Sequence, residues 1–192
     1  MMERGEKNSI VFEPMGNYYA ELDGSVSERD IAFYAERAKG GCGIIMTEVA
    51  SVNSKTGRGN ERNLCTDDDR LIPGYKKMAD KIHEFDSLLF VELYHPGCQG
   101  IAPLNGGSMA SPSGQESKLI HMPTQAAVQG ELRGGNNAVL RVQFFRLFSD
   151  AIENTEAATY DEFLIRLAKE ANVYLAHLNV DDFTGVIKIY LD

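Results

Sequence analysis

The chain has 192 residues, of which 43% are hydrophobic and 24% charged. These values are typical of one globular domain and exclude an intrinsically disordered chain. The formal net charge is −9, and because it is spread along the sequence without a basic cluster, nucleic-acid binding is not expected.

The cysteines and the apolar segments indicate the cellular compartment of the protein. Cys42, Cys65 and Cys98 form no C-x-x-C pair, so the sequence predicts free thiols in a reducing compartment and no metal site. The first residues lack an apolar segment of signal-peptide length, and no stretch approaches the ~18 apolar residues of a membrane span. We therefore expect a cytoplasmic protein that does not bind a membrane.

The first predicted elements are a strand and a helix. Residues 8–14 form an apolar run that ends at a proline, which is typical of a buried strand. The helix begins after an Asp-Gly turn, where Ser25 and Glu28 have the spacing of a capping box and Ser27 is an alternative cap. Gly40-Gly41 supplies the left-handed end of this helix.

The next three elements repeat the pattern. Residues 42–47 are predicted as a strand, and a polar, glycine-rich loop covers 48–66. A second helix is predicted over 68–85 and a third strand over 87–95. Apolar strands that alternate with amphipathic helices predict a parallel sheet with right-handed crossovers.

The alternation stops after the third strand. Residues 96–137 are rich in Gly, Pro, Ser and Asn and predict a long loop, which in a compact domain is either functional or evidence against the assignment. Beyond it, 138–153 and 159–171 are predicted as helices, and 173–180 and 186–191 as strands.

Chemistry in parallel α/β folds gathers at the carboxyl ends of strands. That rule selects 13–16, 47–49 and 92–99. Tyr18 and Tyr19 follow the first strand closely, and they either pack over the sheet edge or contact a flat cofactor or substrate. The glycines at 40–43 precede a strand, whereas phosphate-binding glycine loops follow one. His95 lies at a strand end, but no second ligand stands at metal-binding spacing.

Several segments resemble one known family. The strings SIVFEPMGN, DGSVSERDIAFYAERAKGGCGIIMTEVASV, GRGN, LIPGYKKMADKIHE, FVELYHPGCQG and LIHMPT resemble the old yellow enzyme family of NADH:flavin oxidoreductases. The branch that they resemble most is the enoate and 2,4-dienoyl-CoA reductase type. The match is ordered over Asn8 to Gln99, about half of the chain.

The resemblance implies a (β/α)₈ TIM barrel that holds FMN at its carboxyl-end mouth, with NAD(P)H as reductant and an activated alkene as substrate. Within it, Pro14, Met15 and Gly16 would line the flavin with their backbone, and Val49 would touch the ring edge. Tyr18 falls where some members of the family place a tyrosine near the substrate.

Two positions depart from the family pattern. Glu92 stands where the family usually has glutamine, and a carboxylate can accept from a flavin N–H but cannot donate to a ring carbonyl. Cys98 replaces an arginine. The histidine pair that binds the substrate carbonyl is not found, and Arg141 and Arg146 are alternative candidates for the flavin phosphate.

These departures leave three outcomes open for a single domain with a well-matched part (8–99), a long loop (100–137) and a divergent part (138–192). The chain forms a shortened barrel that still binds FMN, or it is a non-catalytic remnant that acts, if at all, through its surface. Alternatively it associates with another copy or chain through its open barrel edges.

Overall fold

The computed structural model describes residues 7–105, 109–111, 124–126, 155–157 and 160–177. Three helices and seven strands occur in these ranges. In chain order they are β1 (Val11–Phe12), α1 (Glu28–Lys39), β2 (Ile44–Ser51), β3 (Leu64–Cys65), α2 (Ile72–His83), β4 (Leu88–Tyr94), β5 (Met109–Ser111), β6 (Thr124–Ala126), α3 (Tyr160–Ala171) and β7 (Tyr174–His177). Short 3₁₀ turns span Asp69–Leu71, Gly97–Gln99 and Ala102–Leu104.

The main sheet has the strand order β1-β2-β4-β7, and every neighbouring pair is parallel. Short strand β3 pairs in parallel with the last two residues of β2. Strands β5 and β6 form a separate parallel pair. The four strands lie side by side in the order in which they occur along the chain, as the strands of a TIM barrel do. The predicted parallel α/β fold is confirmed.

The helices cover one face of the sheet and form the main core. Alternate strand residues point toward this face because side chains along a strand alternate in direction. The fully buried side chains of this core include Tyr34, Ile45, Tyr75, Met78, Ile82, Leu89, Phe163, Leu167 and Leu175.

The opposite face carries a smaller apolar cluster. Met46, Leu88, Phe90 and Tyr174 are all buried there, with Ile44 packed against them. The rings of Phe90 and Tyr174 are stacked with centroids 4.7 Å apart, and the two residues are paired in the β4–β7 register. In a closed barrel this face is the packed interior.

The N-cap of helix α1 lies two residues after the first of the two predicted caps. Ser27 is the N-cap: its hydroxyl accepts the N–H of Asp30, and the Asp30 carboxylate accepts the N–H of Ser27. The predicted Ser25–Glu28 box is therefore wrong, because Ser25 donates to Asp23 instead and Glu28 forms an ion pair with Lys77 of α2.

The cap predicts a specific stability effect. We expect Ser27→Ala to lower the free energy of unfolding by about 1–2 kcal/mol, since it removes an N-cap and a donor to the buried Asp30 carboxylate. The matched change Ser25→Ala should cost less than about 0.5 kcal/mol. Urea unfolding of both variants measures the difference, and equal losses would contradict the assignment of the cap.

The other element bounds follow the predictions with local differences. Helix α1 ends at Lys39, and Gly41 has a φ of +110°, as the glycine pair predicts. The region predicted as a loop over 48–66 contains the second half of β2 and all of β3. A register shift between Met46 and Val49 lets β2 continue past two polar residues. The predicted helix over 138–153 and strand over 186–191 lie outside the described residues.

The cysteines, possible metal ligands and helix lengths can be examined in the described part of the chain. Cys42 and Cys65 are free thiols, and the Cys98 side chain is outside the description. Within the described ranges no cluster of His, Cys, Asp and Glu could hold a metal ion. No helix in those ranges is long and apolar enough to cross a membrane.

Candidate functional site

The structure brings the ends of β1, β2 and β4 to one edge of the sheet. Val49 of β2 lies directly opposite Glu92 of β4 in the parallel register. The loop after β1 (residues 13–27, the β1 loop) reaches the same edge. Glu48, next to Val49, accepts the backbone N–H groups of Asn17 and Tyr18 in this loop, each at 2.9 Å. Met15 precedes these two residues in the loop and is exposed. The three predicted segments are therefore neighbours.

The Tyr18 side chain folds back over Gly16, near the start of the β1 loop. Its backbone has a φ of +54°, which few residues other than glycine adopt. Its ring lies so close to Gly16 that a Cβ atom on Gly16 would fall 2.7 Å from the Tyr18 Cζ atom. The pKa of the Tyr94 phenol is raised by burial, with smaller contributions from Tyr18 and Glu92. Tyr18, Tyr94 and Glu92 therefore share one environment, in which 45% of the Tyr18 surface is exposed.

Glu92 is the buried acid of this edge. Only 7% of its surface is exposed, and burial raises the pKa of its carboxyl group. Its backbone N–H donates to the Thr47 hydroxyl at 3.3 Å, but among the described residues no donor contacts its carboxylate. A buried carboxylate favours a ligand that brings a hydrogen-bond donor or a positive charge.

The loop between β2 and β3 closes one side of the edge through polar contacts. Asn63 donates to the Val49 carbonyl at 2.7 Å and accepts the Gly59 N–H at 3.0 Å. Asn105 binds both backbone groups of Arg58, so the chain after β4 is attached to the same loop. These contacts fix the backbone carbonyl of Val49 and restrict the loops at this edge of the sheet, which we call the rim.

His95 also stabilises this loop. Its Nδ1 atom accepts the Gly97 N–H at 3.0 Å, so the ring proton is on Nε2, which lies 3.3 Å from the Thr56 hydroxyl. Burial lowers the pKa of His95 to about 4. Gly57 packs against the imidazole, where a Cβ atom would fall 2.7 Å from the ring. His95 is therefore a neutral histidine that joins two loops.

The structure assigns contacts at this edge to five residues, four of which lie outside the segments that the sequence analysis selects. Glu48, Tyr34, Asn17, Asn63 and Asn105 hold the rim together through contacts between segments 14 to 47 residues apart. Only Glu48 lay within a predicted functional segment. The signal available for the asparagines was their position in loops that follow strands. Arg141 and Arg146 lie outside the described residues.

The fold and the edge together define this chain as part of a (β/α)₈ barrel with its candidate site at the carboxyl ends of the strands. A family model described as "NADH:flavin oxidoreductase / NADH oxidase family" matches residues 6–176. The chain belongs to this family, whose members use FMN with NAD(P)H as reductant.

Relatives of known activity match parts of the chain. An NADH oxidase of Thermoanaerobacter brockii is 37% identical over 93 residues, which are 48% of this chain and 14% of the relative. An NADH:acrylate oxidoreductase of Vibrio harveyi is 31% identical over 174 residues, which are 88% of this chain and 16% of the relative. The chain thus spans less than a fifth of the length of either.

Solved structures show the same fold. An old yellow enzyme homologue from Zymomonas mobilis superposes with a TM-score of 0.63 at 20% sequence identity, covering 90% of this chain and 44% of that one. Morphinone reductase superposes with a TM-score of 0.63 at 14% identity, covering 88% and 43%. The predicted partial TIM barrel is confirmed.

Proposed function

We propose that the edge formed by β1, β2 and β4 is part of an FMN site in an NAD(P)H-dependent oxidoreductase that reduces an activated alkene. The observation that carries the proposal is the strand register that puts Val49 beside Glu92. The β1 loop is held at the same edge by its hydrogen bond to Glu48, the residue before Val49. Bound FMN would supply hydride transfer between nicotinamide and substrate, while the protein orients the ring and sets its surroundings.

The residues present at the edge fit a flat heteroaromatic group. Met15 is exposed, so a ring can approach the backbone of the β1 loop there, whereas the space beside Gly16 is filled by the Tyr18 ring. Pro14 is half-buried beside them. Glu92 offers an acceptor without a described partner, which suits a ring N–H. Tyr18, at the exposed side of the loop, would contact the substrate.

Glu92 also sets a limit on this site. A carboxylate only accepts hydrogen bonds, so it would leave a neighbouring ring carbonyl without a donor. Its negative charge would oppose the charge that a flavin gains on reduction. We therefore expect weaker FMN binding and a lower flavin potential than a neutral amide would give at this position.

This limit gives a direct prediction. Glu92→Gln should tighten FMN binding about tenfold, because the amide keeps an acceptor, adds a donor and removes a buried charge. Fluorescence quenching of FMN on titration measures the dissociation constant. The control is Glu84→Gln, which changes the net charge equally at an exposed carboxylate paired with Lys81. Equal affinities for all three proteins would contradict the role of Glu92.

The proposal itself is tested on the purified chain. Yellow protein with bound-flavin absorbance, or saturable FMN uptake by colourless protein, supports it. Colourless protein that resists reconstitution favours the alternative, a non-catalytic remnant that acts through its surface. Single-domain organisation and a cytoplasmic location remain predictions.

Association through the open sheet edge is a separate proposal. Ile10 and Val11, at the outer edge of β1, are both exposed hydrophobic residues. An unpaired strand edge with apolar side chains is a surface that favours pairing with another chain. Size-exclusion chromatography with light scattering over a range of concentrations decides between a monomer and a self-associating chain.

A further inference from the structure

A buried carboxylate joins the β1 loop to strand β2. The side chain of Glu48 is fully buried, and its Oε2 atom accepts the N–H groups of Asn17 and Tyr18, each at 2.9 Å. Two successive backbone amides directed at one carboxylate oxygen form an anion-binding turn. The partner in this case is a side chain of the protein and belongs to another strand, about 30 residues away in sequence.

Tyr34 of α1 completes the connection. Its hydroxyl accepts the backbone N–H of Glu48 at 2.6 Å and the side-chain N–H of Asn17 at 3.1 Å. Asn17 in turn accepts the N–H of Tyr19 at 2.9 Å. Helix α1, strand β2 and the β1 loop therefore meet at one set of hydrogen bonds, beneath the rim on which Gly16 and Tyr18 lie.

Burying the Glu48 carboxyl group in this arrangement is unfavourable for the stability of the fold. The Oε1 atom of Glu48 is buried without a hydrogen-bond partner among the described residues, and so is the Oδ1 atom of Asp30. Burial raises the pKa of Glu48 to about 7, with a smaller contribution from Asp30. Apolar side chains of similar volume are often at least as stabilising as buried charges, so stability alone does not account for an acid here.

What the acid does supply is a fixed loop conformation. The backbone of Tyr18 is held at a φ of +54°, a conformation that costs energy for a residue with a side chain. The two amide contacts to Glu48 hold that conformation, which places the Tyr18 ring over Gly16. Without an acceptor below it, the loop would be free to relax toward commoner backbone angles.

We propose that Glu48, supported by Tyr34, is a positioning residue that sets the conformation of the β1 loop and so the places of Gly16 and Tyr18 at the rim. The link to a bound flavin rests on the proposed function. The conformational part does not, because it concerns backbone amides of the chain itself.

The experiment compares four variants. Glu48→Gln keeps an acceptor oxygen, whereas Glu48→Ala removes it. Tyr34→Phe removes the supporting hydroxyl, and Tyr75→Phe is the matched control, because the Tyr75 hydroxyl is equally buried and donates to the Cys65 carbonyl on another part of the core. Amide hydrogen exchange of the β1 loop is measured on FMN-free protein, relative to strand β4, and FMN affinity is measured separately.

We expect exchange at the Asn17 and Tyr18 amides to rise about tenfold or more in Glu48→Ala and in Tyr34→Phe. It should stay within about threefold of the parent in Glu48→Gln and in Tyr75→Phe. FMN binding should weaken in the first pair and be retained in the second. Rescue by glutamine distinguishes positioning from a general loss of stability.

The proposal is overturned if loop exchange in Tyr34→Phe equals that in Tyr75→Phe, or if glutamine fails to restore the protection lost in Glu48→Ala. Should Glu48→Ala not fold, the comparison of Tyr34→Phe with Tyr75→Phe decides. A parent chain that binds no FMN would refute the proposed function alone, because the exchange measurement needs no flavin.

Discussion

Replacing Phe163 with alanine is expected to lower the free energy of unfolding by about 3–5 kcal/mol. Phe163 is fully buried on α3 and belongs to the core formed by the helices and the sheet. Its loss would leave a cavity where α3 packs against α2. The contact matters because α3 and β7 follow the long segment at which the strand–helix alternation stops.

The control is on the same helix. Ile165 is 45% exposed, so Ile165→Ala should cost less than about 1 kcal/mol. Urea unfolding followed by circular dichroism measures both. An ion pair between Arg166 of α3 and Asp69 before α2 also supports the docking. Equal, small losses in the two variants would show that α3 does not pack on the sheet in solution.

The second large effect is on the pH dependence of stability. The pKa of Glu48 in the folded protein is about 7, against an ordinary value of 4.5, because the side chain is buried. The folded chain therefore binds this proton more tightly than the unfolded chain. The contribution is favourable below pH 4.5 and is lost as the pH rises to about 7, and its full size is roughly 3 kcal/mol.

His95 has the opposite effect on the pH dependence of stability. Its pKa falls from 6.5 to about 4 in the folded protein, so its contribution is present above pH 6.5 and is lost as the pH falls toward 4. The Gly97 N–H opposes protonation directly, because a second proton on the ring would face that donor. Between pH 4.5 and 6.5 the two groups partly cancel in the parent protein.

Substitution of either Glu48 or His95 should reveal the pH dependence of stability that the other group contributes. In Glu48→Gln, stability should rise more steeply with pH than in the parent between pH 4.5 and 7. In His95→Asn, which keeps an acceptor for the Gly97 N–H, stability should fall more steeply with pH over 4.5–6.5. Free energies of unfolding from urea titrations at several pH values measure both slopes. Parallel curves for all three proteins would contradict the burial of these charges.

The predicted elements that proved correct depend on local patterns. The apolar face of α1, with Ile31, Tyr34 and Ala38, repeats at helical spacing, and Gly40-Gly41 ends the helix in its own neighbourhood. The strands were found because they are short apolar runs bounded by polar or turn residues. Such signals need no knowledge of distant parts of the chain.

The N-cap of α1 is a feature that local sequence patterns cannot predict. Ser25 and Ser27 are each followed three residues later by an acid, so spacing alone cannot choose between them. Burial chooses, because Asp30 is enclosed while Glu28 reaches the surface and pairs with a residue of α2. The choice therefore depends on how the helix packs.

The rim of the candidate site shows the same division. The amino-acid pattern alone indicates that three apolar strands end in short segments with polar or glycine residues, and in a parallel sheet those ends share one edge. That Glu48 would turn inward to bind the amides of Asn17 and Tyr18 was decided by the tertiary structure. The reason is that a shift in the β2–β4 register and a hydroxyl from α1, which accepts the backbone N–H of Glu48, both act on this one residue, and neither can be seen from the residues next to it in sequence.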